Sequence, residues 1–219
     1  MEPWVKEVLA PPRTAVLVVD VQNDFCAPEG SFARNGMSVA AGRRILGPLA
    51  HLLDGARAAG VRVIYLRFVE EAAVVSEAYD RQRYRAGRNL RYCADEWGKG
   101  IVPEVAPRSG EAVVDKVRAS GFFNTRLDTI LRCGGTTTLV LTGMATESCV
   151  LATAIDATAR DYYVVLATDC LASFDEERHE AALRILSHKH PTTTSSDLLV
   201  EWGQGATTRR GGGVDAATS

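Results

Sequence analysis

One stretch limits the fold more than any other: residues 14–20, TAVLVVD, form an unbroken apolar run that ends in a carboxylate. A run of this kind is typical of a parallel strand that is buried on both faces. Apolar residues at helical spacing follow over residues 45–56, with Ser38 as the predicted N-cap and Gly60 as the C-terminal stop. Residues 61–68 then form a second strand. These segments predict a βαβ unit with a right-handed crossover.

Strands and helices continue to alternate along the rest of the chain. Thr146 is the predicted cap of a helix over residues 147–160, and the SFDE sequence at Ser173 has the form of a capping box that opens a helix to about residue 189. A further helix ends near residue 132, and further strands are predicted at residues 112–115, 137–142, 162–167 and 192–194. This order predicts a three-layer α/β/α fold around a doubly wound, mainly parallel sheet.

The length and composition favour one domain. With 219 residues, 46% of them hydrophobic, the chain has enough apolar surface for a single full core. We divide it into an N-terminal arm (1–13), a main globular domain (14–202) and a tail (203–219) that is predicted to be disordered. Residues 69–109 carry charges, glycines and prolines, which favours a functional insertion or lid, and no helix is predicted there.

Charge and cysteine usage exclude several classes of protein. The net charge is −2, and no apolar run approaches the roughly 20 residues of a membrane span, so neither nucleic acid nor a membrane is an expected partner. Five cysteines without a C-x-x-C pair argue against a disulfide framework and a zinc site, and a cytoplasmic location is expected. The arginine segment, residues 81–91 (RQRYRAGRNLR), leaves nucleic-acid binding open, but a solvated or subunit-contacting lid, or a clamp for a substrate carboxylate, is favoured.

Three chemically complementary residues fall at predicted strand ends. Asp20 follows VLVV, Lys116 follows AVVD, and Cys149 lies where a helix begins after TTLVLT. In open α/β sheets, ligands bind at the carboxyl ends of the strands. The helix start and the ammonium of Lys116 are expected to favour a Cys149 thiolate, with the Asp20 carboxylate as the proton acceptor.

Each of these residues also has a purely structural interpretation. A single cysteine is usually a small buried hydrophobe, Asp20 would serve as a strand-end cap, and Lys116 as a surface lysine. The functional interpretation depends on three strand ends delivering a complementary set. No histidine falls at a strand end beside Cys149, so a cysteine-histidine mechanism is not expected.

At these residues the chain resembles the isochorismatase-like cysteine hydrolases, which include nicotinamidases, N-carbamoylsarcosine amidase, biuret hydrolases and ureidoacrylate amidohydrolases. The resemblance spans residues 14–196. It rests on three motifs, in the family's order and spacing: VVDVQNDF (18–25), DKVRASGFFNTRLDTILR (115–132) and LTGMATESCV (141–150). It implies a six-stranded parallel sheet and a homodimer or homotetramer.

The resemblance also implies a mechanism. Asp20, Lys116 and Cys149 would form a catalytic triad, with a cis bond between Met144 and Ala145 and an oxyanion hole made by the amides of Ala145 and Cys149. The D-x-H metal segment of nicotinamidases is missing after the second strand, so no metal and no cofactor are expected. Because isochorismatases of the siderophore type generally lack the cysteine, the resemblance favours C–N cleavage in a small amide through a thioester over vinyl ether hydrolysis. A catalytically retired binding protein is the third alternative.

The substrate contacts are predicted with more alternatives. The segment SGFFNTRLDTILR and Trp97 are most similar to ureidoacrylate amidohydrolases, so a ureidoacrylate-type substrate is favoured. Trp97 and Phe122 would form apolar walls or pack the insertion against the sheet, while Gln22 and Asn23 would bind substrate, orient Asp20 or stabilise a turn. Many family members have Tyr at the position of Ala119, whose small side chain is expected to enlarge the pocket. Phe25 completes the predicted set.

Overall fold

A parallel six-stranded sheet forms the centre of the molecule. The computed structural model describes residues 2–85 and 91–203. The strands have the order β3-β2-β1-β4-β5-β6, and every neighbouring pair is parallel. Their bounds are Thr14–Val19 (β1), Arg62–Phe68 (β2), Ala112–Lys116 (β3), Thr138–Met144 (β4), Tyr163–Ala172 (β5) and Thr192–Thr193 (β6). The predicted three-layer, doubly wound fold is confirmed, and the sheet is parallel throughout.

The central strand is buried on both faces, as its sequence indicates. Val16 and Val18 of β1 contribute to the core on one face, and Leu17 and Val19 to the core on the other. β1 pairs with β2 on one side and with β4 on the other, so Val16 lies opposite Val63 and Val140. An alternating strand could not fill both cores, which explains the unbroken apolar run.

Helices cover both faces of this sheet. The helix bounds are Pro3–Val8 (α1), Asn23–Cys26 (α2), Ser31–Arg34 (α3), Ala40–Arg44 (α4), Leu46–Ala58 (α5), Glu77–Arg85 (α6), Leu127–Cys133 (α7), Leu151–Thr158 (α8), Glu176–Ser187 (α9) and Ser195–Glu201 (α10). One core is completed by α1, α5 and α10, and the other by α7, α8 and α9. Gly60 follows α5 with φ 77°, in the left-handed conformation predicted for a helix stop.

The three predicted helix caps are wrong. Val39 occupies the N-cap of α4, although the Ser38 hydroxyl accepts a bond from the Ala40 amide at 3.3 Å. Asp175 caps α9 because its carboxylate accepts from the Arg178 amide, and Ser173 instead bonds the amide of Asp175. Thr146 lies inside a π-helical turn, Thr146–Val150, and its hydroxyl donates to the Ala172 carbonyl at 3.0 Å. At Thr146, a hydrogen bond to a residue distant in sequence therefore replaces the predicted local cap.

The segments outside the predicted core also contribute to the fold. The N-terminal arm contains α1, whose Val5 is buried, and the Trp202 indole donates to the Leu9 carbonyl at 3.0 Å. In its described part, the insertion contains the α-helix α6 and two short 3-10 turns, where no helix was predicted. Residues 204–219 of the tail and residues 86–90 of the arginine segment lie outside the described residues. In the described part of the chain, no helix is long and apolar enough to cross a membrane.

Candidate active site

Asp20 lies immediately after β1, at the carboxyl edge of the sheet. Its backbone has φ 52°, a left-handed conformation that turns the chain sharply away from the strand. The Asp20 amide still bonds Leu66 at 2.9 Å, and Oδ1 accepts from the Phe68 amide at 3.0 Å. The carboxylate is therefore fixed by the end of β2, with Oδ2 left to face the site.

Lys116 is the last residue of β3, and its side chain is fully buried. Its Nζ lies 2.8 Å from Asp20 Oδ2, 3.2 Å from Cys149 Sγ and 3.2 Å from the Arg118 carbonyl. An ammonium has three protons to donate, and these three partners account for all of them. The structure thus brings the three residues singled out in the sequence into direct contact through the lysine.

Cys149 lies in the π-helical turn that follows β4. The Met144–Ala145 peptide bond before this turn is cis. The Ala145 carbonyl accepts the amides of Ser148 and Val150, at 3.0 and 3.2 Å, which closes the turn around the cysteine. Cys149 is half-buried, and the other side of its thiol faces a cavity.

The electrostatics of the thiol differ from the sequence-based expectation. Burial and the neighbouring Asp20 carboxylate raise the pKa of Cys149 to about 12, although Lys116 acts in the opposite direction. Burial alone would lower the pKa of Lys116, but Asp20 and Cys149 outweigh it and raise that pKa. Asp20 already neutralises the ammonium, so a thiolate would add a second negative charge. The raised pKa therefore favours a neutral thiol beside an ion pair, whereas the sequence predicts a thiolate.

The cavity next to the thiol has a volume of about 230 Å³ and largely aromatic walls. Phe25, Phe32, Tyr92 and Phe174 pack against one another with ring centroids 4.5 to 6.1 Å apart. None of the described lining residues carries a positive charge. The lining consists of Asp20, Phe25, Phe32, Phe68, Tyr79, Gln82, Tyr92, Ala119, Met144, Ala145, Ser148, Cys149 and Phe174.

Two of the predicted substrate contacts, Phe25 and Ala119, line this cavity. The structure does not place the other four on its described wall. The Gln22 amide group is buried and bonds both the amide and the carbonyl of Phe68, at 2.8 Å each, so it ties α2 to β2. Asn23 donates to the Trp97 carbonyl at 2.8 Å.

The aromatic pair singled out in the sequence is also turned away from the thiol. Trp97 is 47% exposed. Phe122 is buried against Tyr162, with ring centroids 5.9 Å apart, and Arg160 stacks on it. Phe122 therefore packs elsewhere in the fold, and neither residue lines the described wall of the cavity.

The sequence indicates a functional insertion or lid, but it does not identify the residues of the insertion that line the cavity. Tyr79 and Gln82 reach the cavity from α6, and Tyr92 reaches it from the segment that follows the arginine segment. The helix sequence EAYDRQRYR has almost no apolar residues, so it gives no periodic signal. A tyrosine and a glutamine spaced three apart are the one local hint of a shared face.

The arginine segment is only partly described. Arg81 pairs with Glu77 at 2.5 Å and Arg91 with Glu70 at 3.7 Å, and both arginine side chains are more than 70% exposed. The side chains of residues 83–90 lie outside the described residues, so a clamp from Arg83, Arg85 or Arg88 stays a prediction. Within the described residues, no group of three His, Cys, Asp or Glu side chains is arranged to hold a metal ion.

With this geometry established, comparisons with known proteins identify the family. The family model of the isochorismatase domain matches residues 14–197, most of the chain. The chain belongs to the isochorismatase family. Among curated relatives, the ureidoacrylate amidohydrolase RutB of Methylobacterium radiotolerans is 35% identical over 189 residues, covering 80% of this chain and 73% of the relative. The RutB protein of Rhizobium rhizogenes is 36% identical over 175 residues, covering 74% and 71%.

Solved structures of two hydrolases agree with the fold. A cysteine hydrolase from Pseudomonas syringae pv. phaseolicola superimposes with a TM-score of 0.77 at 30% identity, covering 88% of this chain and 93% of that one. N-carbamoylsarcosine amidase from Thermoplasma acidophilum gives a TM-score of 0.68 at 26% identity, covering 84% and 96%. The family resemblance noted in the sequence is therefore confirmed.

Proposed function

We propose that this protein is a cysteine-dependent amidohydrolase that cleaves a C–N bond of a small linear amide or ureido compound through a thioester. One observation carries the proposal: Lys116 Nζ lies 2.8 Å from Asp20 Oδ2 and 3.2 Å from Cys149 Sγ, beside a cavity with largely aromatic walls. A nucleophile beside a general base, with a third group that orients both, is the arrangement that covalent catalysis requires.

The raised thiol pKa favours a neutral thiol at rest, so in the proposed mechanism Asp20 accepts the proton as Sγ attacks the substrate carbonyl. The S–C bond forms, the C–N bond breaks, and Asp20 returns the proton to the leaving nitrogen. Asp20 then accepts a proton from the water that hydrolyses the thioester. Lys116 stays charged throughout and keeps the Asp20 carboxylate and the Cys149 thiol in position.

The carbonyl oxygen needs its own donors during this attack. We assign the oxyanion hole to the backbone amides of Cys149 and of Ala145, the N-cap residue of the turn that carries the cysteine. An amide donor of this kind typically contributes about 2.7 to 4 kcal/mol to the stabilisation of the transition state. Backbone donors cannot be removed by a side-chain substitution, so this part is best tested by a carbonyl trap such as an aldehyde.

Ureidoacrylate is the substrate we favour. The two relatives at 35% and 36% identity are both named ureidoacrylate amidohydrolases. In this substrate the thiol would attack the ureido carbonyl, release aminoacrylate and leave a carbamoyl thioester, which water converts to carbamate and then to carbon dioxide and ammonia. The aromatic walls suit its planar conjugated chain.

A substrate panel tests the proposal. We expect ammonia release from ureidoacrylate to exceed release from biuret, N-carbamoyl amino acids, maleamate and nicotinamide. The panel is repeated with Asp20→Asn and Cys149→Ala, and with isochorismate. An enzyme of the isochorismatase type would retain activity on isochorismate without the thiol but not without Asp20. A protein that turns over none of these compounds would support the retired binding protein.

A further inference from the structure

Arg118 stands out because it touches both the triad and the insertion. Its carbonyl accepts from Lys116 Nζ at 3.2 Å. Its guanidinium donates to the Val74 carbonyl at 2.9 Å and lies over the Tyr79 ring, 4.3 Å from the ring centroid. Tyr79 lines the cavity, so the cation lies one aromatic ring behind the cavity wall.

In the described part of the chain, no carboxylate forms an ion pair with Arg118. Arg67 pairs with Asp115 at 2.6 Å and Arg81 with Glu77 at 2.5 Å. Arg118, in contrast, contacts backbone carbonyls and an aromatic ring, and it forms no ion pair within the described residues. A half-buried guanidinium without an acid partner leaves a net positive field in its surroundings.

This field acts on a cavity whose described lining carries no positive charge of its own. Lys116 is matched by Asp20, so this pair contributes little net charge. The apolar walls screen poorly, so a cation behind them acts over a longer distance than it would in water. Ala119, next to Arg118, presents only a methyl group and leaves this side of the cavity open.

We propose that Arg118 determines specificity by favouring substrates with a negatively charged end, such as the carboxylate of an acyl or ureido acid. This inference rests on the proposed function, because it assumes that the reacting carbonyl lies at Cys149. Arg118 acts from behind Tyr79 and is therefore a positioning and electrostatic residue. The alternative is a purely mechanical role, in which Arg118 holds α6 in place and its charge has no effect on the substrate.

Two alkylating agents separate these roles without any turnover. Iodoacetate and iodoacetamide attack the same thiol but differ in charge, so the ratio of their rates at Cys149 reports the field in the cavity. The background is Cys133→Ser, because Cys133 is exposed and would react as well. Arg118→Lys keeps the charge, while Arg118→Gln keeps a donor for the Val74 carbonyl and loses the charge. Peptide mass mapping assigns the label to Cys149.

We expect Arg118→Gln to lower the iodoacetate-to-iodoacetamide ratio by about three- to tenfold, and Arg118→Lys to change it by less than about twofold. The KM for ureidoacrylate should rise in Arg118→Gln by a similar factor, while its neutral amide analogue shows no such rise. Equal changes for both reagents would overturn the inference and leave the mechanical role. If Cys149 is not labelled in the parent protein even at alkaline pH, where a thiol with a raised pKa still reacts, the proposed function fails together with the inference.

Discussion

Replacing Asp20 by Asn should make Cys149 more reactive towards an alkylating agent while it stops hydrolysis. In the wild type, the thiol lies beside a neutral ion pair, and the Asp20 carboxylate raises its pKa. Asn keeps the shape and can still accept from the Phe68 amide, which Asp20 Oδ1 does at 3.0 Å. Only the negative charge is lost, so the Lys116 ammonium then stabilises a thiolate.

The geometry sets the size of this effect. Lys116 Nζ lies 2.8 Å from Asp20 Oδ2 and 3.2 Å from Cys149 Sγ, so the two acidic atoms are no more than about 6 Å apart. Two unit charges at this distance interact by about 3 kcal/mol at an effective dielectric constant near 20, which equals about 2 pKa units. The thiolate fraction then rises about hundredfold. Since a less basic thiolate is a weaker nucleophile, the net gain in alkylation rate is about tenfold.

The assay is the pseudo-first-order rate of iodoacetamide alkylation at pH 7, with the label mapped to Cys149 in the Cys133→Ser background. The double variant Asp20→Asn, Lys116→Met is the control, because it removes both charges and should return the thiol to slow reaction. Ammonia release measured on the same samples should be lost in Asp20→Asn. Slower or unchanged alkylation would refute the electrostatic description of the site.

Three further predictions follow from the same structure. Wild-type alkylation should keep rising with pH beyond about 8.5, the ordinary thiol value, because the pKa of Cys149 is raised; a plateau below pH 8 would contradict this. Phe32→Ala should lower the free energy of unfolding by about 3 to 5 kcal/mol, measured by urea denaturation, because its buried ring packs against three others. Trp97→Ala should change the KM for the best substrate by less than about twofold, because the ring is 47% exposed and does not line the described cavity. A tenfold rise in KM would instead support the substrate contact that the sequence predicts for Trp97.

The sequence predicted those parts of the fold whose signal is local. The apolar run of β1 must be buried on both faces, and the polar residues that end parallel strands must meet at one edge. The sequence alone therefore places Asp20 and Lys116 at the carboxyl edge of the sheet, together with Cys149 at a helix start that follows another strand.

The remaining features depend on tertiary partners that no local pattern shows. Thr146 is predicted to cap a helix, but its hydroxyl instead forms hydrogen bonds with the Ala172 carbonyl and the His179 ring. The aromatic cluster joins rings from segments far apart in the chain, such as Phe32 and Phe174. The direction of the Cys149 pKa shift also depends on a tertiary contact. The sequence places a lysine near the cysteine, but it does not show that Asp20 neutralises this lysine.

The most direct test of the central claim is ammonia release by Cys149→Ala, with the urea unfolding midpoint as the control for folding. If Cys149 is the nucleophile, turnover of the best substrate falls by at least about 10⁴-fold. The midpoint stays near the wild-type value, because the substitution removes only a half-buried thiol. Turnover within tenfold of the wild type, in a folded protein, would contradict the thioester mechanism and the triad on which it rests.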